Sequence, residues 1–326
     1  MVASIFPAVT PHSHIRRFDL TRDLDPVADL IELCFPIHSD PDGKTYINEM
    51  RKTAWEMRLM GRLGGFSNQY PGKSSGFVWE ENGHIIGNLS LIPHMKGGRR
   101  VVVIANVAVH PNHRRRGIAH ELTQLALQIL RQQGETEAWL QVRDDNPPAI
   151  QLYRRSGFSE QALRTTWRIC PRDRIPGGNA HTPPCLVGRW YPRDWITQQS
   201  WLDAAYPADL RWQWPVDFRQ FAPDLLQRTK TFLDGPSLKH WVVKEKGKFL
   251  GVVTWQKTNT YANNLWLAFP VEKEAELLPG SLAQVLQRLP QKHPLSIDYP
   301  QGRGGEQLSR LGFTEFRTLI WMVYRF

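Results

Sequence analysis

The sequence predicts a mixed α/β protein made of two copies of one domain, and three observations carry that prediction. Segments recur in the same order: Phe77–Gly87 (FVWEENGHIIG) parallels Trp241–Gly251 (WVVKEKGKFLG), Ala105–Pro111 parallels Asn264–Pro270, and Arg154–Phe158 (RRSGF) parallels Ser309–Phe313 (SRLGF). The offsets shrink from 164 to 159 to 155 residues, as expected of a diverged repeat that has lost loop residues. Within the first copy, strand-like runs alternate with helical spacing. At 326 residues the chain also exceeds what one hydrophobic core ordinarily supports.

The elements of the first copy follow in order. Ile15–Leu20 reads as a short strand and Asp25–Phe35 as a helix with Val27, Leu30, Ile31 and Cys34 on one face. Residues 44–60 read as a second helix. Phe77–Leu91 is a hairpin turning at Asn82-Gly83, and its repeat turns at Lys246-Gly247. Arg100–Val109 is almost unbrokenly apolar, as in a strand buried on both faces. Arg115–Gln133 is a helix with Ile118, Leu122, Leu125, Ala126 and Ile129 at helical spacing, stopped near Gly134. Ala138–Arg143 is a strand, Pro147–Ser156 a helix opened by proline, and Leu163–Ile169 a closing strand. Pro171–Pro184 (PRDRIPGGNAHTPP) has linker composition, so the domains are expected at 13–172 and 184–326.

Composition narrows the class. Hydrophobic residues make up 41% and charged residues 22%, which fits a globular chain. No run approaches 18 apolar residues, and residues 1–14 lack a basic start before an apolar stretch, so neither a membrane span nor a secretory signal is expected. Cys34, Cys170 and Cys185 lack CxxC spacing, which argues against a disulfide framework and a thiolate metal site and points to a cytoplasmic protein without a metal. The net charge of +10 is spread over both halves, and reads first as a solvated surface and second as attraction to a polyanionic ligand.

One segment carries chemistry. After the buried strand come the turn His110-Pro-Asn-His113 and a helix opening with Arg114-Arg115-Arg116-Gly117-Ile118-Ala119. A helix start presents unpaired amides and the positive end of the dipole. Gly117 and Ala119 allow close approach of an anion, and three arginines add charge-assisted donors. The combination suits a diphosphate, although arginine-rich helix starts are also commonly just solvated.

Asn106-Val-Ala-Val-His-Pro-Asn-His-Arg-Arg-Arg-Gly117-Ile-Ala119 resembles the acetyl-CoA signature of the Gcn5-related N-acetyltransferase (GNAT) superfamily: Arg or Gln, two residues, Gly, one residue, then Gly or Ala. Asn146-Pro-Pro-Ala149-Ile-Gln-Leu152-Tyr153, followed by Gly157-Phe158, is similar to the family's second signature. The resemblance implies two tandem acetyltransferase-type domains, each a mixed, mostly antiparallel sheet flanked by helices. It implies acetyl-CoA as cosubstrate and direct transfer to a primary amine, on a small molecule or on a peptide or protein, with no covalent enzyme intermediate. By the same resemblance, backbone groups of Val107, Ala108 and Val109 pair with the pantetheine arm. Arg114, Arg115, Arg116, Gly117, Ile118, Ala119 and His120 hold the pyrophosphate, Asn146 contacts the pantetheine, and Tyr153 donates a proton to the departing thiolate. Relatives such as ribosomal-protein alanine acetyltransferases carry Glu where this chain has Gln141, which cannot serve as a base. Water, Glu80, Glu81 and Asp144 remain as routes for the amine proton.

The second copy has Glu272, Glu274 and Glu276 where the arginines would stand, and Gln301 and Leu308 at the places of Asn146 and Tyr153. It is expected to keep the fold, lack the cofactor site and cover the acceptor cleft, with Trp190, Trp195, Trp201, Trp212 and Trp214 in packing or lining roles. Two rival readings are a non-catalytic acetyl-CoA sensor, favoured by Gln141, and a nucleic-acid binder using Arg99, Arg100 and Arg114–Arg116. The second lacks any nucleic-acid-binding module. The oligomeric state is left between monomer and homodimer.

Overall fold

The computed structural model describes residues 14–62, 75–173, 185–187, 191–222, 238–290 and 292–326. Two compact units emerge: Met1–Val142 with Asn146–Gln161 and Trp321–Phe326, and Arg143–Asp145 with Ala162–Ile320.

In the first unit, β1 (Ile15–Arg17), β2 (Ser75–Glu81), β3 (His84–Lys96) and β4 (Arg99–Val109) pair antiparallel in sequence order, and β5 (Glu137–Arg143) lies parallel to β4. Helices α1 (Leu24–Cys34) and α2 (Pro41–Arg62) bury Val27, Ala28, Ile31 and Ile47 against Val78 on one face. Side chains alternate along a strand, so the neighbouring Trp79 and Gly87 look to the other face, where α3 (Ile118–Gln132) packs. There the helix approaches so closely that a Cβ on Gly87 would stand 2.9 Å from Ile118 Cγ2. Leu122, Ala126 and Leu130 continue this buried stripe. α3 begins at Ile118 rather than Arg115 because Gly117 takes a left-handed N-cap conformation that ends the preceding turn. α4 (Pro147–Arg155) is opened by Asn146, whose Oδ1 accepts from the Ala149 amide at 3.3 Å, with proline in the first turn.

The second unit repeats the scheme. β6 (Ser159–Ile169) pairs antiparallel with β11 (Leu295–Pro300), from Leu295↔Ile169 to Pro300↔Arg164. The sheet continues through β10 (Asn263–Ala268), β9 (Lys248–Gln256), β8 (Leu238–Glu245) and β7 (Cys185–Val187), with only β10 and β11 parallel. Helices α5 (Trp195–Ala205), α6 (Glu274–Arg288) and α7 (Gly305–Arg310) and the last strand, β12 (Thr314–Arg325), complete the element order. Trp195, Trp201 and Trp214 pack against its core, and Trp190 lies outside the described residues.

The repeat is visible in the backbone itself. Asn82 (φ 50°) and Gly83 (φ 77°) turn the first hairpin, and Lys246 (φ 47°) and Gly247 (φ 79°) turn the second, both left-handed pairs as a two-residue type I′ turn demands. A bulge precedes each turn, between Trp79 and Glu80 and between Val243 and Lys244. The unit bounds differ from the expected division at 172–184. β6 pairs within the second unit from Ala162 on, and the end of β12 returns to the first unit at Trp321. The expected linker falls mostly on 174–184, outside the described residues, and its composition carries no information on which sheet accepts a strand.

Because Leu122 is fully buried between α3 and β3, Leu122→Ala is expected to lower the unfolding free energy by about 2–5 kcal/mol, read from denaturant titration.

Candidate active site

β4 and β5 pair only at Val102↔Ala138 and Val103↔Trp139. Beyond Val103 the two parallel strands part, which leaves one edge of β4 open from Ile104 to Val109. A bulge keeps that edge exposed: the β3–β4 register slips between Asn88 and Ser90, where Asn106 adopts φ 51°. Asparagine tolerates this left-handed conformation better than other side chains. Asn88 Nδ2 donates to the Asn106 carbonyl at 2.8 Å, and Asn106 Nδ2 donates to Tyr46 Oη on α2 at 2.7 Å. Asn88 is completely buried, and its Oδ1 has no hydrogen-bond partner among the described residues.

The bulge also sets which amides face the opening. His110 N donates to Ile86 O and Ala108 pairs with Asn88, so Val109 directs its backbone groups away from β3, and Val107 follows the same alternation. The Val109 carbonyl is already taken by Arg114 Nε at 3.2 Å and Cys34 Sγ at 3.3 Å, which leaves its N–H. Ala108 faces β3 and offers nothing to the opening. Of the three expected backbone positions, Val107 and the Val109 N–H face the opening and Ala108 pairs with β3.

The turn from His110 to Gly117 leads from that edge to α3. His110 Nδ1 accepts from Asn112 N at 3.3 Å. From Arg115 to His120, six consecutive backbone amides have no hydrogen-bond acceptor among the described residues. Arg115 (φ 62°) and Gly117 (φ 83°) are left-handed, and nothing but Glu121 Oε1, at 3.7 Å, lies within 4 Å of a Cβ built on Gly117. The result is an exposed, concave run of donors at the positive end of a helix.

The arginines are less free than their sequence implies. Arg116 grips Glu81 through two bonds, at 2.7 and 3.1 Å, and its Nη1 lies 2.7 Å from His113 Nδ1. Arg114 is tied to the Val109 carbonyl. Arg115 pairs with none of the described residues. Arg115, Arg116, Gly117 and His120 are exposed, whereas the Ile118 side chain is buried and can contribute only its amide.

Tyr153 sits on α4, buried, with its ring 5.9 Å from that of Phe158. Burial pushes its phenol above the ordinary tyrosine value, so it holds its proton across the neutral range. Asn146 spends its Oδ1 on capping α4, and its Nδ2 remains for a ligand. Gln141 is exposed on β5, between buried Leu140 and Val142. Two of the candidate routes for the amine proton are carboxylates weakened as bases by ion pairing. Bonding by the Arg16 guanidinium holds Glu80 below the usual carboxylate range, and Arg116 does the same to Glu81. Asp144 belongs to the second unit. Burial raises the Cys34 thiol, which suits a packed side chain rather than a nucleophile. Among the described residues no three His, Cys, Asp or Glu side chains converge on a metal position. A cleft of about 410 Å³ beside α1 shares only His110 with the strand–turn–helix segment.

The second unit parts its parallel strands too, after Asn264↔Ser296, but fills the opening. Tyr206 is fully buried there; its hydroxyl accepts the Leu267 amide at 3.1 Å and its ring meets Trp214, Phe218, Trp266 and Tyr299. At the start of α6, Glu274 is buried, with Tyr299 Oη donating to it at 3.0 Å and the Arg303 guanidinium bound to it. Three glutamates in sequence resolve into one internal anion and two exposed side chains.

Residues 28–158 match the family model described as the acetyltransferase (GNAT) family. The [ribosomal protein bS18]-alanine N-acetyltransferase of Escherichia coli K12 is 36% identical over 62 residues, 19% of this chain and 42% of that protein. The chain thus spans well under half the length of this curated relative. A GCN5-related N-acetyltransferase from Sphaerobacter thermophilus aligns over 97% of both chains with a TM-score of 0.53 and 15% identity. A tandem GNAT protein from the clavulanic acid biosynthesis pathway covers 95% of this chain and 98% of its own, with a TM-score of 0.50 and 17% identity. These two likenesses establish the fold across both units.

Gly117→Ala is expected to cost about 1–2 kcal/mol of stability, because a side chain must then hold the left-handed N-cap conformation; thermal denaturation reads it.

Proposed function

Residues 28–158 form a GNAT-family acetyltransferase domain, and from that premise we propose that the chain transfers an acetyl group from acetyl-CoA to a primary amine, with all of the chemistry in the first unit. The observation that carries this reading is the continuity of an open β4 edge with six unaccepted amides from Arg115 to His120. The two features fit the two parts of the ligand: an amide-bearing arm that pairs like a strand, and a diphosphate that needs clustered donors.

In this reading Val107 and the Val109 N–H bind the pantetheine arm, with the Asn146 Nδ2 beside it. The amides of Arg115, Arg116, Gly117, Ile118, Ala119 and His120 hold the pyrophosphate. Arg115 supplies mobile charge, while Arg114 and Arg116 brace the loop. Acetyl-CoA, when bound, supplies the thioester carbon that the amine nitrogen attacks, forming the C–N bond as the C–S bond breaks. Tyr153 presents an O–H to the departing sulfur. With Glu80 and Glu81 held as ion pairs and Gln141 unable to accept a proton, water and Asp144 are the routes left for the amine proton. The open edge and the retained Tyr153 favour turnover over a sensor role. An amino-terminal alanine peptide is a suitable first acceptor probe, because the Escherichia coli relative is a [ribosomal protein bS18]-alanine N-acetyltransferase.

The second unit, in the same reading, holds no cofactor: Tyr206 and Glu274 already occupy the strand opening and the helix start.

With that peptide as acceptor and thiol release as the signal, Tyr153→Phe is expected to lower kcat by about 100-fold or more at unchanged KM for acetyl-CoA. An unchanged kcat removes Tyr153 from the reaction. A donor must be protonated to act, and the Tyr153 pKa is raised, so the alkaline limb of the kcat–pH profile is expected above about pH 10, the ordinary tyrosine value. A limb below that pH assigns the proton donor to another group.

A further inference from the structure

Residues 321–326, far along the chain from both signature motifs, belong to the first unit. They are fixed there on several sides. Phe326 N donates to Thr136 O at 3.2 Å just before β5, and Ser159 Oγ donates to Val323 O at 3.3 Å. Arg325 reaches Gln161 Oε1 at 3.1 Å and lies 3.8 Å from Glu137.

Tyr324 is the member of this strand end that meets the chemistry. Its ring lies 5.6 Å from that of Phe158, which in turn packs edge-on to Tyr153. A Cβ on Gly157 (φ 94°) would come within 3.0 Å of Tyr324 Cε2, so the ring lies directly on the turn that ends α4. That turn is closed by Phe158 N donating to Tyr153 O at 3.0 Å, a bond to the backbone of the proton donor itself. On its other side, Tyr324 Oη accepts from Arg131 Nη2 at 2.8 Å, in the last turn of α3. One side chain therefore braces both the helix that carries Tyr153 and the helix whose start forms the anion cradle.

We propose that Tyr324 is a positioning residue for the acetyl transfer: through the Gly157–Phe158 turn it fixes where α4 holds the Tyr153 hydroxyl. This rests on the reading of Tyr153 as the donor. Displacement of a reacting group by about 1 Å costs up to about 100-fold in rate, so packing at this distance is enough to matter. The hydroxyl of Tyr324 is secondary to its ring, because the contact with α4 is made by ring carbons.

The test uses the full chain, with thiol release from acetyl-CoA and the amino-terminal alanine peptide, in a double-mutant cycle of Tyr324→Ala and Tyr153→Phe, plus Tyr324→Phe alone. Tyr324→Ala is expected to lower kcat about tenfold with KM for acetyl-CoA within about twofold, and to lower it less than about twofold in the Tyr153→Phe background. Tyr324→Phe, which keeps the ring, is expected to stay within about threefold of the parent. Hydrogen exchange, which needs no acceptor, is expected to quicken at residues 150–158 in Tyr324→Ala and not in Tyr324→Phe. Equal losses from Tyr324→Ala in both backgrounds, or unchanged exchange at 150–158, overturns the inference. If Tyr153→Phe keeps the parent rate, the donor assignment fails first; if Tyr153→Phe loses rate and Tyr324→Ala does not, only the positioning role fails.

Discussion

The site depends on one feature of strand pairing: β4 does not stay paired with β5 beyond Val103. The bulge at Asn106 holds that parting open, with a left-handed asparagine whose carbonyl is bonded by fully buried Asn88 and whose amide reaches Tyr46. A backbone edge without a strand partner is ordinarily a liability that folds cover. Here it leads without interruption into a second unmet demand, the amides at the start of α3. Two adjacent sets of unsatisfied donors, both in a well-ordered scaffold, are what an elongated, anionic, amide-bearing ligand would satisfy.

The second unit shows what the same fold does without that demand. Its parallel strands part in the same place, yet Tyr206 supplies the hydroxyl that the Leu267 amide needs and surrounds it with aromatic rings. Its helix start holds the Glu274 carboxylate, neutralised by Arg303 and bonded by Tyr299. A carboxylate at that position is favoured by the helix dipole and by the half-buried Arg303 guanidinium together. The first unit leaves both sets of amides unmet among the described residues, and the second meets both from its own chain.

Much of this was legible in sequence because local backbone geometry has local causes. Asn82-Gly83 and Lys246-Gly247 announced their turns, Pro147 and Pro148 announced the start of α4, and the run into Gly117 announced the α3 start to within a few residues. What stayed hidden depends on distant partners. Nothing in the runs around Arg114 and Arg116 shows that Val109 O and Glu81 bind them. Nothing in Val271–Glu276 distinguishes the buried Glu274 from its exposed neighbours. The exchange of β6 and β12 was invisible for the same reason: alternation fixes that a segment is a strand and which face is apolar, but not which sheet receives it. Glu80 and Glu81 stood among the open proton routes in sequence and are ion-paired in the fold.

Calorimetric titration of the whole chain with acetyl-CoA tests the central claim most directly, with Gly117→Glu beside it. One site per chain, lost in the variant because a carboxylate then occupies the cradle, is the expected result. No binding at millimolar ligand, two sites per chain, or a single site that survives Gly117→Glu would contradict it.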